Sequence, residues 1–488
     1  MKTILSFILD NHYEGIVSIS VAVIYAVLSI AATIHILLRN YDIKSSIGWI
    51  AIVFLSPFLG TILYILFGIN RVRRKAARLR SNIGKGGEFS RQEKENLMKT
   101  LPQHLHNIFA YGQNVYDCEF LKGNKVEFLL NGVEAYPQMI AAIKNAKKEV
   151  LIESYIFESD KNADNFIEAF EAAIKNGASV KVLTDGVGSL RFFRRSIEKK
   201  LSKVKGLKYG IFLPPLIPIS FPFINLRNHR KLMIIDGTLA FFGGMNLSEK
   251  NLKCDDIENG VVDMTFRVEG AVIDQIAQIF EDDWAFVKGE TFESRSNFIK
   301  YDNHKDGVLA RVIPDGPDIS QRRTQYLVCG ALNFALHHIV IITPYFLPEN
   351  DILAACEMAA MRGVNVEIIL PGKNDHKFIA LACEANFAYL IKKGIKIYRR
   401  NGPFDHSKLF IVDNSWALIG SANWDMRSFR LHFEATMEIF GEQFAEKALN
   451  IAEAKKADSR LLTLEECRDI SVLKKLRDNA LRLLTPYC

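Results

Sequence analysis

Two stretches of this chain repeat one another at their polar positions. Asn228 to Asn246 reads NHRKLMIIDGTLAFFGGMN, and Asp405 to Asn423 reads DHSKLFIVDNSWALIGSAN. Each holds His-x-Lys, four residues, an Asp, and a Gly-x-x-Asn tail at the same offset. Composition alone does not produce so long a pattern twice, so the chain folds into two similar halves that each present one copy. The apolar runs Leu232 to Ile235 and Leu409 to Val412 predict buried strands, whose side chains alternate faces with period two. His229 and Lys231 then share a face, as do His406 and Lys408. The candidate catalytic set is therefore His229, Lys231 and Asp236 with His406, Lys408 and Asp413. The two aspartates follow their His by seven residues, an odd offset that turns them to the opposite strand face, so they read as structural partners first.

The repetition extends over whole lobes. In the first half VEFLL (Val126 to Leu130) predicts a strand, and a helix over Tyr136 to Ala146 leads to EVLIESYIF. A second helix, Asn165 to Lys175, stops at Asn176-Gly177 before the strand SVKVLTD. In the second half Tyr326 to His337 leads to IVIITPYFL, and Asp351 to Met361 stops at Arg362-Gly363 before NVEIILPG. Strands alternating with amphipathic helices define an α/β protein with two pseudo-symmetric lobes, 118–295 and 305–488, of mixed sheets flanked by helices. The join lies near Thr291 to Gly307.

Ahead of the lobes, Gly15 to Leu38 and Ser46 to Gly68 contain no Asp, Glu, Lys or Arg. Each exceeds the roughly 20 residues that a helix needs to cross a bilayer core. They predict a membrane hairpin within residues 1–70, kinked at Pro57, with His35 at the interface. A second apolar span without a cleavage site between the two argues against a signal peptide. Arg71, Arg73, Arg74, Lys75, Arg78 and Arg80 follow at once, against Arg39 and Lys44 in the connection. This bias sets the lobes and the N-terminus on the cytoplasmic side, with the basic tether 71–117 on anionic head groups.

The formal net charge of +7 suits an acidic partner, phospholipid or nucleic acid. Seven scattered cysteines without CxxC spacing argue against a disulfide framework and a structural zinc site. Ile211 to Arg227, IFLPPLIPISFPFINLR, carries four prolines yet is strongly apolar. It reads either as a loop packed on the core or as a segment that dips into the lipid interface and admits acyl chains past Phe212, Phe221 and Phe223.

Two His and two Lys converging between the lobes make a positive pocket suited to a phosphodiester. A neutral imidazole can attack phosphorus while an imidazolium protonates the departing alkoxide, provided their surroundings hold opposite protonation states. Lys231, Lys408, Asn246, Asn423 and Ser421 are the candidates for holding the phosphate oxygens. Asp263 and Glu434 are the candidates for fixing the second nitrogen of each His, with salt-bridge roles as the alternative. This chemistry needs no metal, and no Asp/Glu/His cluster shows ligand spacing.

HRKLMIIDGTLAFFGGMN and HSKLFIVDNSWALIGSAN resemble the paired HKD motifs of the phospholipase D superfamily. Within it the chain resembles bacterial cardiolipin synthases over essentially its full length, through PFLGTILYILFG, NLRNHRK, ANWDMRSFRL and the terminal RLLTP. The resemblance implies a two-lobed fold with one active site between the lobes. It also implies phosphatidyl transfer from one phosphatidylglycerol to another in the bacterial inner membrane, yielding cardiolipin and glycerol without a cofactor. The chain departs from that pattern at His432, where the family usually has Asn, at the segment before Asp263, which lacks Trp-Arg, and at NLSEKN after the first motif.

The sequence therefore points to a membrane-embedded phosphatidyltransferase, acting through a phosphatidyl-histidine on anionic lipids, with His229 as nucleophile and His406 as acid or the reverse. A hydrolytic phospholipase D is the alternative enzyme. A membrane-tethered nuclease is the alternative of another class, disfavoured because no run of interleaved basic and aromatic residues suggests base stacking. A catalytically dead lipid scaffold is disfavoured by two intact motifs. The sequence leaves oligomeric state open.

Overall fold

The computed structural model describes residues 2–39, 43–68, 90–189, 197–214, 226–290, 292, 301, 303–317, 322–469 and 471–484. The basic cluster Arg71 to Arg80, positions 215–225 with Phe221 and Phe223, and much of the expected join between the lobes lie outside these residues. The chain divides into two units, Met1–Lys75 and Ala76–Cys488.

In the first unit a helix runs over Lys2–Arg39, and its part Ile19–Leu38 is long and apolar enough to cross a membrane. The second apolar run is not one helix. It forms Ile43–Leu55, breaks at Ser56, and resumes as Pro57–Leu63 and a π-turn at Tyr64–Gly68. Proline at the first helical position lacks the N–H that would continue the ladder, so the expected kink is a full interruption. The 13-residue piece spans about 20 Å at 1.5 Å per residue, short of a 30 Å hydrocarbon core. The two runs nevertheless pack together through Ala32, Ile36, Val53 and Tyr64. His35 Nδ1 lies 2.8 Å from the Tyr64 hydroxyl, a local partner.

The second unit is built on one 15-stranded sheet. Seven strands of the first half, in the order Leu121–Leu130, Met264–Glu269, Leu239–Gly243, Leu232–Ile235, Glu149–Ser154, Ser179–Asp185 and Lys208–Phe212, mirror seven of the second. Those are Val308–Asp315, Glu434–Phe440, Trp416–Gly420, Leu409–Val412, His338–Ile342, Asn365–Pro371 and Lys396–Arg400, with Ser459–Leu461 added at the edge. The halves join where Leu121–Leu130 pairs antiparallel with Val308–Asp315, so the two sheets expected from the sequence are one sheet.

Alternation sorts the side chains as the sequence predicts. Leu232 and Ile234 share a core with Leu409 and Ile411, and Met233 and Phe410 face the other way into separate cores. The shared core also takes the helices Val272–Lys288 and Glu442–Ala457, through Trp284, Phe444 and Ala448. Each fully buried large apolar side chain there is worth about 1.5–3 kcal/mol. This core clamps the halves together and holds the two His-x-Lys segments in one register.

Candidate active site

Each His-x-Lys segment lies just ahead of its strand and is paired to the other half. Asn228 bridges Phe433, and the His229 N–H donates to the Phe433 carbonyl at 2.8 Å. Phe404–Asp405 pairs with Val261–Val262, and the His406 N–H donates to the Val262 carbonyl at 2.7 Å. The residues that follow these acceptors are Glu434 and Asp263. The backbone pairing therefore brings each acid beside the opposite histidine: His229 Nδ1 is 3.0 Å from Glu434 Oε1, and His406 Nδ1 is 2.7 Å from Asp263 Oδ2. Each acid therefore contacts the histidine of the opposite half, a pairing that the sequence reading left unassigned. With Nδ1–H given to a carboxylate, each ring keeps Nε2 for chemistry.

Both imidazoles and both lysines are buried, and the imidazoles line one cavity of about 370 Å³. Lys231 Nζ and Lys408 Nζ each donate to the carbonyl of the histidine two residues earlier. Burial pushes Lys231 down to about 7 and Lys408 to about 8. Burial, then Lys231 and Lys408, holds His229 well below the usual imidazole range. His406 is lowered less, by burial and Lys408, because Asp263 opposes them. The pocket thus carries more cationic groups than it can keep charged without an anion.

Asp236 and Asp413 sit at the far ends of the motif strands. Each has a left-handed backbone (φ 52° and 48°) in a hairpin turn whose next residue, Gly237 or Asn414, is also left-handed. The Asp236 carboxylate accepts the N–H groups of Lys147, Lys148 and Glu149; that of Asp413 accepts those of Leu336, His337 and His338. The third motif letter therefore pins a hairpin to the start of the neighbouring strand and lies outside the cavity lining, which corrects its place in the candidate catalytic set.

Asn246 and Asn423 do line the cavity. The Asn246 Oδ1 accepts from the Ile156 N–H, and the Asn423 Oδ1 is buried without a partner. Ser421 is placed differently from its expected phosphate contact: its hydroxyl donates to Glu434 Oε2 and accepts from the Ala435 N–H. It supports the carboxylate that orients His229.

Several residues went unpredicted. Tyr155 and Tyr345 line the cavity from matching places in the repeat, ESYIF and TPYFL, a signal present in the sequence. The Tyr155 ring meets that of His229 edge-on at 4.8 Å, and Lys231 Nζ lies 5.4 Å from its centre. Arg230, between the motif His and Lys, is fully buried. It donates to the Glu434 and Asp315 carbonyls and pairs with Asp283, tying the His229 strand to the strand that carries its acid. His432 lines the cavity with both ring nitrogens buried and without a hydrogen bond, its ring 5.5 Å from that of His229. Burial, with Arg427 and His229 against Glu434, lowers it to about 4. Among the described residues, His229, His432 and Glu434 form the group with metal-ligand proximity. Two of its members already bond one another. Six described cysteines are free thiols.

A two-lobed α/β fold with paired, acid-oriented His-Lys elements around a single cavity is the fold of the phospholipase D class. The phosphatidylserine synthase of Haemophilus influenzae Rd KW20 shares it at a TM-score of 0.62 and 16% identity, over 78% of this chain and 100% of that one. Residues 139–284 and 328–455 match the family model "Cardiolipin synthase, PLD-like domain", and residues 27–68 match "Phospholipase_D-nuclease N-terminal". The chain belongs to the cardiolipin synthase family of phospholipase D-like proteins. A cardiolipin synthase of Clostridium perfringens (strain SM101 / Type A) is 30% identical over 90% of this chain and 93% of its own. One from Halalkalibacterium halodurans is 28% identical over 98% and 96%. The major cardiolipin synthase ClsA of Bacillus subtilis is 29% identical over 97% and 99%.

Proposed function

We propose that this chain is a membrane-associated cardiolipin synthase that transfers a phosphatidyl group from one phosphatidylglycerol to the primary hydroxyl of another. The observation that carries this reading is the crossed pair His229–Glu434 and His406–Asp263, whose histidines line one cavity, with Lys231 and Lys408 buried two residues on from them.

His229, held neutral, attacks phosphorus through Nε2, and His406, protonated when the phosphodiester anion fills the cavity, gives its Nε2 proton to the departing glycerol alkoxide. A phosphatidyl-histidine remains. The hydroxyl of a second phosphatidylglycerol then attacks phosphorus, His406 takes its proton, and the His229–phosphorus bond breaks to give cardiolipin. Lys231, Lys408, Asn246 and Asn423 hold the non-bridging oxygens as charge builds on them, each worth on the order of 3 kcal/mol in such sites. No step calls on a metal.

The N-terminal unit anchors the enzyme. Its first helix is long and apolar enough to cross the bilayer, and the broken second run returns the chain only if its pieces Ile43–Leu55 and Pro57–Leu63 enter the membrane together. The basic residues Arg71 to Arg80 keep the lobes on the cytoplasmic side of the bacterial inner membrane by the positive-inside tendency. Residues 71–117 act as tether, and 118–295 and 305–488 as the two lobes.

Purified protein with phosphatidylglycerol, read by mass spectrometry, tests the reading. Cardiolipin and glycerol in equal amounts are expected; phosphatidic acid as the main product would make it a hydrolase. Salt-sensitive DNA cleavage without lipid turnover would favour the nuclease reading.

A further inference from the structure

The terminal stretch that ends in RLLTP has no place in the chemistry above, yet most of it folds as a helix, Val472–Leu484, VLKKLRDNALRLL. The helix is held to the second half by one side. Asp478 is buried, Leu481 packs against the core, and Arg482 Nη1 donates to the Asn386 Oδ1 at 2.6 Å. At 3.6 residues per turn, Leu473, Leu476 and Ala480 fall on a different side. There Leu473 is 79% and Leu476 62% exposed. Leaving two leucines in water forgoes the burial that normally fixes a helix, so this face lacks its partner.

The helix packs on Lys377–Glu384, which leaves Phe378 71% exposed. That second helix begins at the cavity: His376 and Ile379 are among its lining residues. The terminal helix itself is basic. Lys474, Lys475, Arg477 and Arg482 stand against a single acid within the helix, the buried Asp478, and Lys377 is exposed beside Phe378. Apolar side chains flanked by cations fit the interface of an anionic bilayer, where the former sink below the head groups and the latter meet lipid phosphates.

We propose that the helices Val472–Leu484 and Lys377–Glu384 form a second membrane-docking element that lays the mouth of the active-site cavity on an anionic lipid surface. A lipid then reaches the cavity from the bilayer through a mouth bordered by His376 and Ile379. The proposal rests on the lipid-substrate reading above and adds where the lipid surface meets the lobes.

Two measurements on the full-length protein test it. In proteoliposomes containing phosphatidylglycerol, backbone amide exchange across 472–484 is expected to slow at least about 10-fold relative to detergent micelles, and not with rising protein concentration in micelles. Protection that tracks protein concentration would overturn the proposal in favour of self-association. In the second, the double variant Leu473→Ser/Leu476→Ser is expected to turn over bilayer phosphatidylglycerol about 10-fold more slowly, while turnover of monomeric dihexanoyl-phosphatidylglycerol stays within 2-fold. Equal rates on bilayers, or equal losses on both substrates, would overturn it. A wild-type protein inactive on both forms would instead overturn the lipid reading.

Discussion

Asp263 of the first half holds His406 of the second, Oδ2 to Nδ1 at 2.7 Å, and the contact forms because the His406 N–H donates to the Val262 carbonyl just before that acid. Each motif histidine takes its carboxylate from the opposite half. Asp263→Asn keeps the volume but removes the charge that favours the Nδ1–H tautomer and the imidazolium. The expected result is a fall in kcat on the order of 10²–10⁴-fold with KM little changed. Steady-state kinetics on phosphatidylglycerol check this; a rise in KM at constant kcat would assign Asp263 to binding instead.

Asp236 separates architecture from chemistry. Its carboxylate accepts three backbone N–H groups at the edge of the sheet. Asp236→Ala should lower stability by about 1–3 kcal/mol while kcat per folded molecule stays within about 3-fold. Urea unfolding alongside active-site titration decides it; a fully folded variant without activity would return Asp236 to the catalytic set.

His432 brings two buried nitrogens without a hydrogen bond into the cavity, Nδ1 3.8 Å from Glu434 Oε1, and Nε2 is left to meet a bound phosphate or hydroxyl. His432→Phe is expected to raise KM about 10-fold, the loss of one hydrogen bond of about 1.5 kcal/mol, with kcat within about 3-fold. An unchanged KM would leave His432 as a packing residue.

The pH profile follows from burial. Lys231 near 7 and Lys408 near 8 bind an anion best when protonated, so phosphodiester affinity is full below about 7 and falls as pH rises through 7–8. His229, held well below its ordinary value, stays neutral and nucleophilic on the acid side, so kcat persists below pH 6.5. The expected kcat/KM profile has a basic limb with an apparent pKa between 7 and 8, belonging to the pair. Lys231→Arg moves that limb upward; a limb that stays in place would assign it to another group.

Much of this was legible in the sequence because the repeat is local and periodic. Ser179–Asp185 and the motif strands follow from alternation, and the odd spacing of Asp236 already separated it from His229. What escaped is long-range. No spacing rule says that Glu434 serves His229 or that Asp263 serves His406, since these partners lie 205 and 143 positions apart. Arg230 hid inside its motif, because a buried arginine is legible only once Asp283 is seen beside it. The second apolar run read as one span kinked at Pro57, because composition does not say that the kink becomes a full break at Ser56.

Chemical trapping of the labelled phosphatidyl group tests the central claim most directly. Turnover of phosphorus-labelled lipid quenched in neutral denaturant, followed by peptide mapping at neutral pH, should place the label on His229 in the wild-type chain and in His406→Ala, and abolish it in His229→Ala. Label on neither histidine in any of the three would contradict the account.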